Sequence, residues 1–73
     1  MQTTKVPAHQ GATLRAARLR RGLTQDELAA ASGISQTTIS RCEQAADLAT
    51  VEHGTIGRLC QALDVPTAEI TGL

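Results

Sequence analysis

The sequence predicts an all-α fold, a compact bundle of five short helices, and three features indicate it. Apolar residues recur at spacings of three and four along the chain rather than every second residue. The segments with this pattern are short and end at glycines such as Gly22 and Gly33, which favours separate helices. The 73 residues include no Phe, Tyr or Trp, so the core must be small and aliphatic, which suits closely packed helices.

The first predicted helix follows a polar segment. Residues 1–11 show no periodicity, which predicts a flexible N-terminal arm before a folded domain over residues 12–73. The helix is expected from about Ala12 to Arg21, with Gly22 as the left-handed residue that ends it. Four residues at helical spacing form its predicted inward face: Leu14, Ala17, Arg18 and Arg21.

The next two helices carry strong local signals. Thr24 followed by Glu27 predicts a capping box at the start of the second helix, and Gly33 ends that helix. Ser35 is then the expected N-cap of a third helix that runs to about Gln44. The predicted core positions of this pair are Leu28, Ala29, Ile39 and Cys42.

The C-terminal part predicts two more helices after a connector over residues 45–50. A fourth helix is expected from about Glu52 to Leu63, because apolar residues recur there at i, i+3, i+4 and i+7. Asp64 is expected to stop it, followed by a buried Val65 and a short fifth helix capped by Thr67. The predicted core residues of the fourth helix are Ile56, Leu59, Cys60 and Leu63.

The outward face of the third helix has an unusual composition for a solvated surface, which would normally be rich in Glu and Lys. At about 100° per residue, five polar residues fall opposite the core positions: Gln36, Thr37, Ser40, Arg41 and Gln44. Amide, hydroxyl and guanidinium groups suit base edges in the major groove of double-stranded DNA. With the turn before it, this helix therefore predicts a helix-turn-helix.

The stretch "LRAARLRRGLTQDELAAASGISQTTISRCE" over residues 14–43 resembles the phage repressor and Cro type of helix-turn-helix family, the lambda repressor-like domains. The resemblance rests on three segments, "GLTQDELA", "SGIS" and "TISRCE". A fourth segment, "TIGRLCQALDV", is similar to the family's fourth helix and the turn after it. The resemblance implies a small phage or prophage repressor or Cro-like regulator of transcription. Such a protein binds operator DNA, often as a homodimer on a pseudo-palindrome.

The resemblance also implies roles for individual residues. Base reading is expected from Gln36, Thr37, Ser40 and Arg41. Phosphate contact and positioning are expected from Thr24, Gln25, Ser35, Thr38 and Gln44. Arg18 and Glu43 match a family pair that forms a salt bridge between the first and third helices.

The chain departs from the family's pattern after the third helix. Ala45 stands where members usually have glycine, and the connector "AADLATVEHG" is two residues longer than usual and lacks Lys and Arg. Residues 1–44 contain six basic and three acidic residues, whereas residues 45–73 contain one basic and four acidic residues. Because each neutralised phosphate adds affinity, we expect a single domain to bind weakly and to need a second copy or a partner. Self-association is expected through helix four and residues 65–73, where Ile70 and Leu73 are either dimer contacts or core residues.

The competing interpretation is an antitoxin or adaptor of the same fold that also binds a protein. The protein would then be bound by the acidic C-terminal half or by a second apolar strip on helix one, formed by Ala12, Ala16 and Leu19. That strip is equally consistent with ordinary exposed surface. No catalytic constellation, cofactor motif or metal-ligand cluster is present, so we expect no enzyme. The two cysteines match no zinc or redox spacing, and without a membrane or signal segment a cytoplasmic protein is expected.

Overall fold

The computed structural model describes residues 9–48 and 51–72, and this part of the chain forms five α-helices, which confirms the predicted all-α class. The helices are α1 (Gln10–Arg20), α2 (Gln25–Ser32), α3 (Gln36–Gln44), α4 (His53–Leu63) and α5 (Thr67–Thr71). Helix α1 packs on α3 and α5, and α2 packs on α3 and α4. Helix α3 is therefore held from two sides. Among the described helices, none has the length and apolar character needed to cross a membrane.

One aliphatic core lies between the helices. Its buried members are Leu14, Ala17, Leu28, Ile39, Cys42, Leu48, Ile56, Leu59, Cys60, Leu63 and Ile70. The inward positions predicted for α3 and α4 are confirmed. Burial raises the pKa of both the Cys42 and the Cys60 thiols, so these free cysteines stay protonated and pack as small apolar residues. Two expectations need correction: Arg21 is exposed, and Val65 is only half-buried. The connector adds a core residue that was not predicted, Leu48.

The start of α1 also differs from the prediction. The helix begins at Gln10 rather than Ala12, so Gln10 and Gly11 are buried in the domain and do not belong to an arm. The Nδ1 atom of His9 accepts a hydrogen bond from the Ala12 N–H at 2.9 Å and caps the helix. The rest of the expected arm, residues 1–8 with Lys5, lies outside the described residues.

The physical reason for the early start lies at the far end of α3. The backbone N–H groups of Gln10 and Gly11 donate to the carbonyl oxygens of Ala46 and Ala45, both at 2.9 Å. These bonds satisfy donors that a helix N-terminus leaves without an intrahelical partner. The Gln10 side chain adds two further bonds, since its Oε1 accepts from the Leu48 N–H and its Nε2 donates to the Thr71 carbonyl.

The ends of α2 and the start of α3 confirm the predicted caps. The Thr24 hydroxyl accepts from the Glu27 N–H at 3.0 Å, and the Glu27 carboxylate accepts from the Thr24 N–H at 2.8 Å. Gly33 ends α2 with φ of 74°, and the Ser35 hydroxyl accepts from the Thr38 N–H at 3.2 Å. Both helix starts are therefore fixed by local hydrogen bonds.

The C-terminal helices follow the prediction with one exception. Asp64 takes a left-handed conformation with φ of 57°, which aspartate tolerates better than most residues, and ends α4 as expected. The expected cap of α5 is wrong. Pro66 is the N-cap in extended backbone, and Thr67 is the first helical residue, so no side chain caps this helix.

Helix α4 contains two glycines that its packing does not need. A Cβ atom added at Gly54 or Gly57 would meet no atom within 4 Å, and neither residue has a positive φ. We expect Gly57→Ala to raise the free energy of unfolding by up to about 1 kcal/mol, because alanine loses less backbone entropy in a helix. Urea unfolding followed by the helical circular dichroism signal measures this, and a lower stability for Gly57→Ala would contradict it.

Candidate nucleic-acid interface

One face of α3 is polar and accessible while its opposite face is in the core. Ile39 and Cys42 are 0% and 2% exposed. The predicted recognition residues lie on the other face, where Ser40 and Thr38 are half-buried and four are exposed: Gln36, Thr37, Arg41 and Gln44. The structure thus brings together the residues that the sequence assigns to base reading, on a helix whose back is fixed by packing.

The start of α2 lies beside this face. The Nε2 atom of Gln36 donates to Oε1 of Gln25 at 2.6 Å, which joins the first turn of α3 to the first turn of α2. The exposed N-terminus of α2 therefore stands next to the recognition face, where its free N–H groups can approach an anion. No local pattern predicts this contact, because the two residues are eleven positions apart and on different helices.

The other residues predicted to contact phosphate also form hydrogen bonds within the protein. The hydroxyl oxygens of Thr24 and Ser35 accept the capping bonds, and the Ser35 hydroxyl also donates to Oγ1 of Thr38 at 2.9 Å. On the last turn of α3, Nε2 of Gln44 donates to Oγ of Ser40 at 3.3 Å. These hydrogen bonds form three separate local sets: Thr24 with Glu27, Ser35 with Thr38, and Gln44 with Ser40.

A buried ion pair fixes α1 to α3 behind the face. The Nε atom of Arg18 donates to Oε2 of Glu43 at 2.6 Å, and its Nη2 donates to Oε1 at 3.0 Å. Their side chains are only 8% and 4% exposed. The Nη1 atom of Arg18 donates to the Leu23 carbonyl at 2.7 Å, so the guanidinium also holds the turn after α1. The hydrogen bond that Arg18 donates to the Glu43 carboxylate raises the pKa of Arg18, which keeps it charged.

The ion pair continues toward the surface through α2. The Nε2 atom of Gln25 donates to Oε1 of Glu43 at 3.1 Å, while Oε1 of Gln25 accepts from Gln36. Four side chains from three helices therefore form one hydrogen-bonded series, from Arg18 through Glu43 and Gln25 to Gln36. The sequence predicts the ion pair of Arg18 and Glu43, but it does not predict the hydrogen bonds that connect this pair through Gln25 to Gln36.

Positive charge near the face is limited. Arg41 is exposed on α3 itself. Arg20 on α1 forms an exposed ion pair with Glu69 of α5. Arg58 of α4 has its guanidinium beside Gly33, the residue that ends α2. The described part of the connector contains no Lys or Arg. Arg15 and Arg21 are also exposed, on α1 and at its end. The face of α3 itself therefore offers several hydrogen-bonding groups and a single charge for phosphate contact.

Two helices joined by a tight turn, with the second presenting a polar exposed face, form the structural unit that DNA-binding regulators place in the major groove. The chain belongs to the helix-turn-helix domain family, whose model matches residues 10–73. It is a DNA-binding regulator of this family. Among curated proteins, no sequence matches the chain.

Solved structures show the same fold. The restriction-modification controller protein C.AhdI from Aeromonas hydrophila is 30% identical with a TM-score of 0.77, over 86% of this chain and 92% of that one. The clp gene regulator ClgR from C. glutamicum is 29% identical with a TM-score of 0.73, over 93% of this chain and 86% of that one. In Streptomyces albus HEPD, 28% identical with a TM-score of 0.80, the match covers 93% of this chain but only 15% of that one.

Proposed function

We propose that this domain binds a specific double-stranded DNA operator by inserting α3 into the major groove, as a repressor or Cro-like regulator of phage or prophage type. The observation that carries the proposal is the polar face of α3, held rigidly by the core behind it and by Gln25 beside it. Amide and guanidinium groups at fixed positions can distinguish base pairs in that groove. The domain is proposed to have no catalytic activity of its own.

The proposed roles follow from position and chemistry. Gln36, Thr37, Ser40 and Arg41 contact base edges, with Gln36 suited to adenine and Arg41 to guanine. Thr24, Gln25, Ser35, Thr38 and Gln44 border the face and contact or position the phosphate backbone. No residue in these sets is buried, so none requires rearrangement of the core to reach DNA.

The scarcity of cations supports binding as a homodimer. A domain with few phosphate contacts gains little non-specific affinity, and a linked second copy raises the effective concentration at the second half-site. The half-sites would lie about 34–36 Å apart, one helical turn, and their occupation would exclude polymerase. Ile70 is fully buried and is a core residue of the monomer rather than a dimer contact. Leu73 lies outside the described residues. Exposed parts of α4 and α5 remain the proposed contact surface.

The primary test measures binding to a labelled duplex from the promoter region upstream of the coding sequence. Fluorescence anisotropy across a salt series reports the affinity. A scrambled duplex of equal length is the control. Selective binding with a modest salt slope supports base reading by α3. Equal, weak binding to both duplexes that disappears at physiological salt would contradict a self-sufficient repressor.

Arg41→Ala tests the assignment of a base reader. We expect it to reduce affinity for the preferred duplex by about 1–3 kcal/mol and to relax the preference at one base position, because a bidentate contact is lost. Arg58→Ala is the matched control, since it removes the same charge from an exposed position on α4. Equal losses for both variants, with unchanged base preference, would refute the assignment.

A second candidate function is protein binding, as in an antitoxin or adaptor. It is favoured by one observation: Leu19 on α1 is 49% exposed, and its neighbours in the apolar strip, Ala12 and Ala16, are also exposed. Co-purification of a second small protein that is lost with Leu19→Ser would favour this function. Unchanged DNA selectivity in Leu19→Ser would separate the two surfaces.

A further inference from the structure

The Glu43 carboxylate has a second partner besides Arg18. Its Oε2 accepts from Nε of Arg18 at 2.6 Å, whereas its Oε1 accepts both from Nη2 of Arg18 at 3.0 Å and from Nε2 of Gln25 at 3.1 Å. An ionised carboxylate can only accept hydrogen bonds, so it can face only the NH2 end of an amide. The ion pair therefore holds the Gln25 amide in one of its two orientations.

That orientation is passed on to Gln36. Because Nε2 of Gln25 is directed to Glu43, its Oε1 is directed to α3, where it accepts from Nε2 of Gln36 at 2.6 Å. A carbonyl oxygen also only accepts, so Gln36 must present its NH2 end to Gln25. Gln36 keeps a second N–H and its Oε1, and neither has a protein partner within the part of the chain that the structure describes.

We propose that Glu43 is a positioning residue for base recognition, which acts through Gln25 to fix the amide of Gln36. The inference rests on the proposed function, in which Gln36 reads a base. A glutamine that recognises adenine donates to N7 and accepts from the N6 amino group, and a flipped amide offers these groups in the wrong order. An amide that is oriented before binding also loses less rotational freedom when the base is bound.

Orientation of Gln36 by Glu43 and Gln25 can be distinguished by measurement from separate roles for these two residues. If Gln25 only contacts phosphate and Glu43 only stabilises the fold, removing either weakens binding to all sequences alike. If they orient Gln36, removing either also abolishes the preference at the base that Gln36 reads. Selectivity, rather than affinity, is therefore the diagnostic quantity.

The first experiment selects preferred duplexes from a randomised pool. Comparison of the native protein with Gln36→Ala identifies the base position that Gln36 reads. Gln25→Met keeps side-chain length and leaves the ion pair intact, and we expect it to lower the preference at that position about tenfold. Ala30→Met is the matched control, because it places the same side chain at an exposed position of α2 that has no assigned role in DNA binding. Uniform weakening by Gln25→Met, with unchanged base preference, would overturn the proposal.

The second experiment removes both charges together. The double variant Arg18→Met, Glu43→Met leaves no unpaired buried charge, so it is expected to fold. It should lose the same base preference as Gln25→Met, although a purely structural pair predicts no change in selectivity. If the double variant does not fold, Glu43→Gln replaces it, because an amide at this position can offer Gln25 either a donor or an acceptor. The same loss of base preference is expected, and an unchanged preference would overturn the proposal.

The free protein gives a test that needs no DNA. In nuclear magnetic resonance spectra, the side-chain amide signals of Gln25 and Gln36 should shift in the double variant while that of Gln44 does not. An unmoved Gln36 signal would overturn the proposed orientation. If the native protein enriches no duplex, the proposed function fails, and these amide signals alone decide whether Glu43 orients Gln36.

Discussion

Glu43→Ala is expected to reduce the free energy of unfolding by about 3–5 kcal/mol, because it leaves the Arg18 guanidinium buried without its counter-charge. The two side chains are 8% and 4% exposed, so water cannot replace the lost carboxylate without opening the interface between α1 and α3. A domain of this size is stabilised by roughly 4–11 kcal/mol in all. The variant should therefore be partly unfolded at moderate temperature.

The chain provides a matched control for this prediction. Arg20 and Glu69 form an ion pair whose side chains are 65% and 38% exposed, so Glu69→Ala is expected to cost at most about 1 kcal/mol. Since the protein has no aromatic residue, both variants are best followed by the helical circular dichroism signal in urea. Equal midpoints for Glu43→Ala and the native protein would refute the assignment of a buried, stabilising pair.

Gly11→Ala is expected to have the second-largest effect, although it adds only one methyl group. A Cβ atom at this position would lie closest to the Cys42 carbonyl oxygen, 2.5 Å from that of Ala45 and 2.6 Å from that of Glu43. Backbone atoms cannot rotate away as a side chain does, so α1 must move from the end of α3. Overpacking costs about 1–3 kcal/mol, and displacement would also weaken the Gly11 N–H bond to Ala45.

Gly54→Ala separates this steric effect from a general effect of alanine. Gly54 is also in the first turn of a helix, but a Cβ there would meet no atom within 4 Å, so the substitution should be neutral or stabilising. Urea unfolding of the two variants should move the midpoints in opposite directions or leave only Gly11→Ala lower. A Gly11→Ala variant as stable as the native protein would show that the close approach of α1 and α3 is not required.

The sequence by itself determined the elements whose cause is local. The capping box of Thr24 and Glu27, the glycine that ends α2 and the Ser35 cap all act within four residues, so the bounds of α2 and α3 follow from neighbouring side chains. The same holds for the polar face of α3, because a fixed rotation per residue places its residues opposite Ile39. The Arg18 and Glu43 pair was expected through family resemblance.

Only the tertiary structure decided the features whose partners are distant in the chain. Helix α1 starts at Gln10 because the carbonyls of Ala45 and Ala46 accept its first N–H groups, and no local pattern predicts that contact. The burial of Ile70 likewise depends on how α5 packs against α1 and α4. The orientation of Gln36 depends on the hydrogen bonds that link it through Gln25 of α2 to Glu43 at the other end of α3, since an amide has no preference of its own between its two ends.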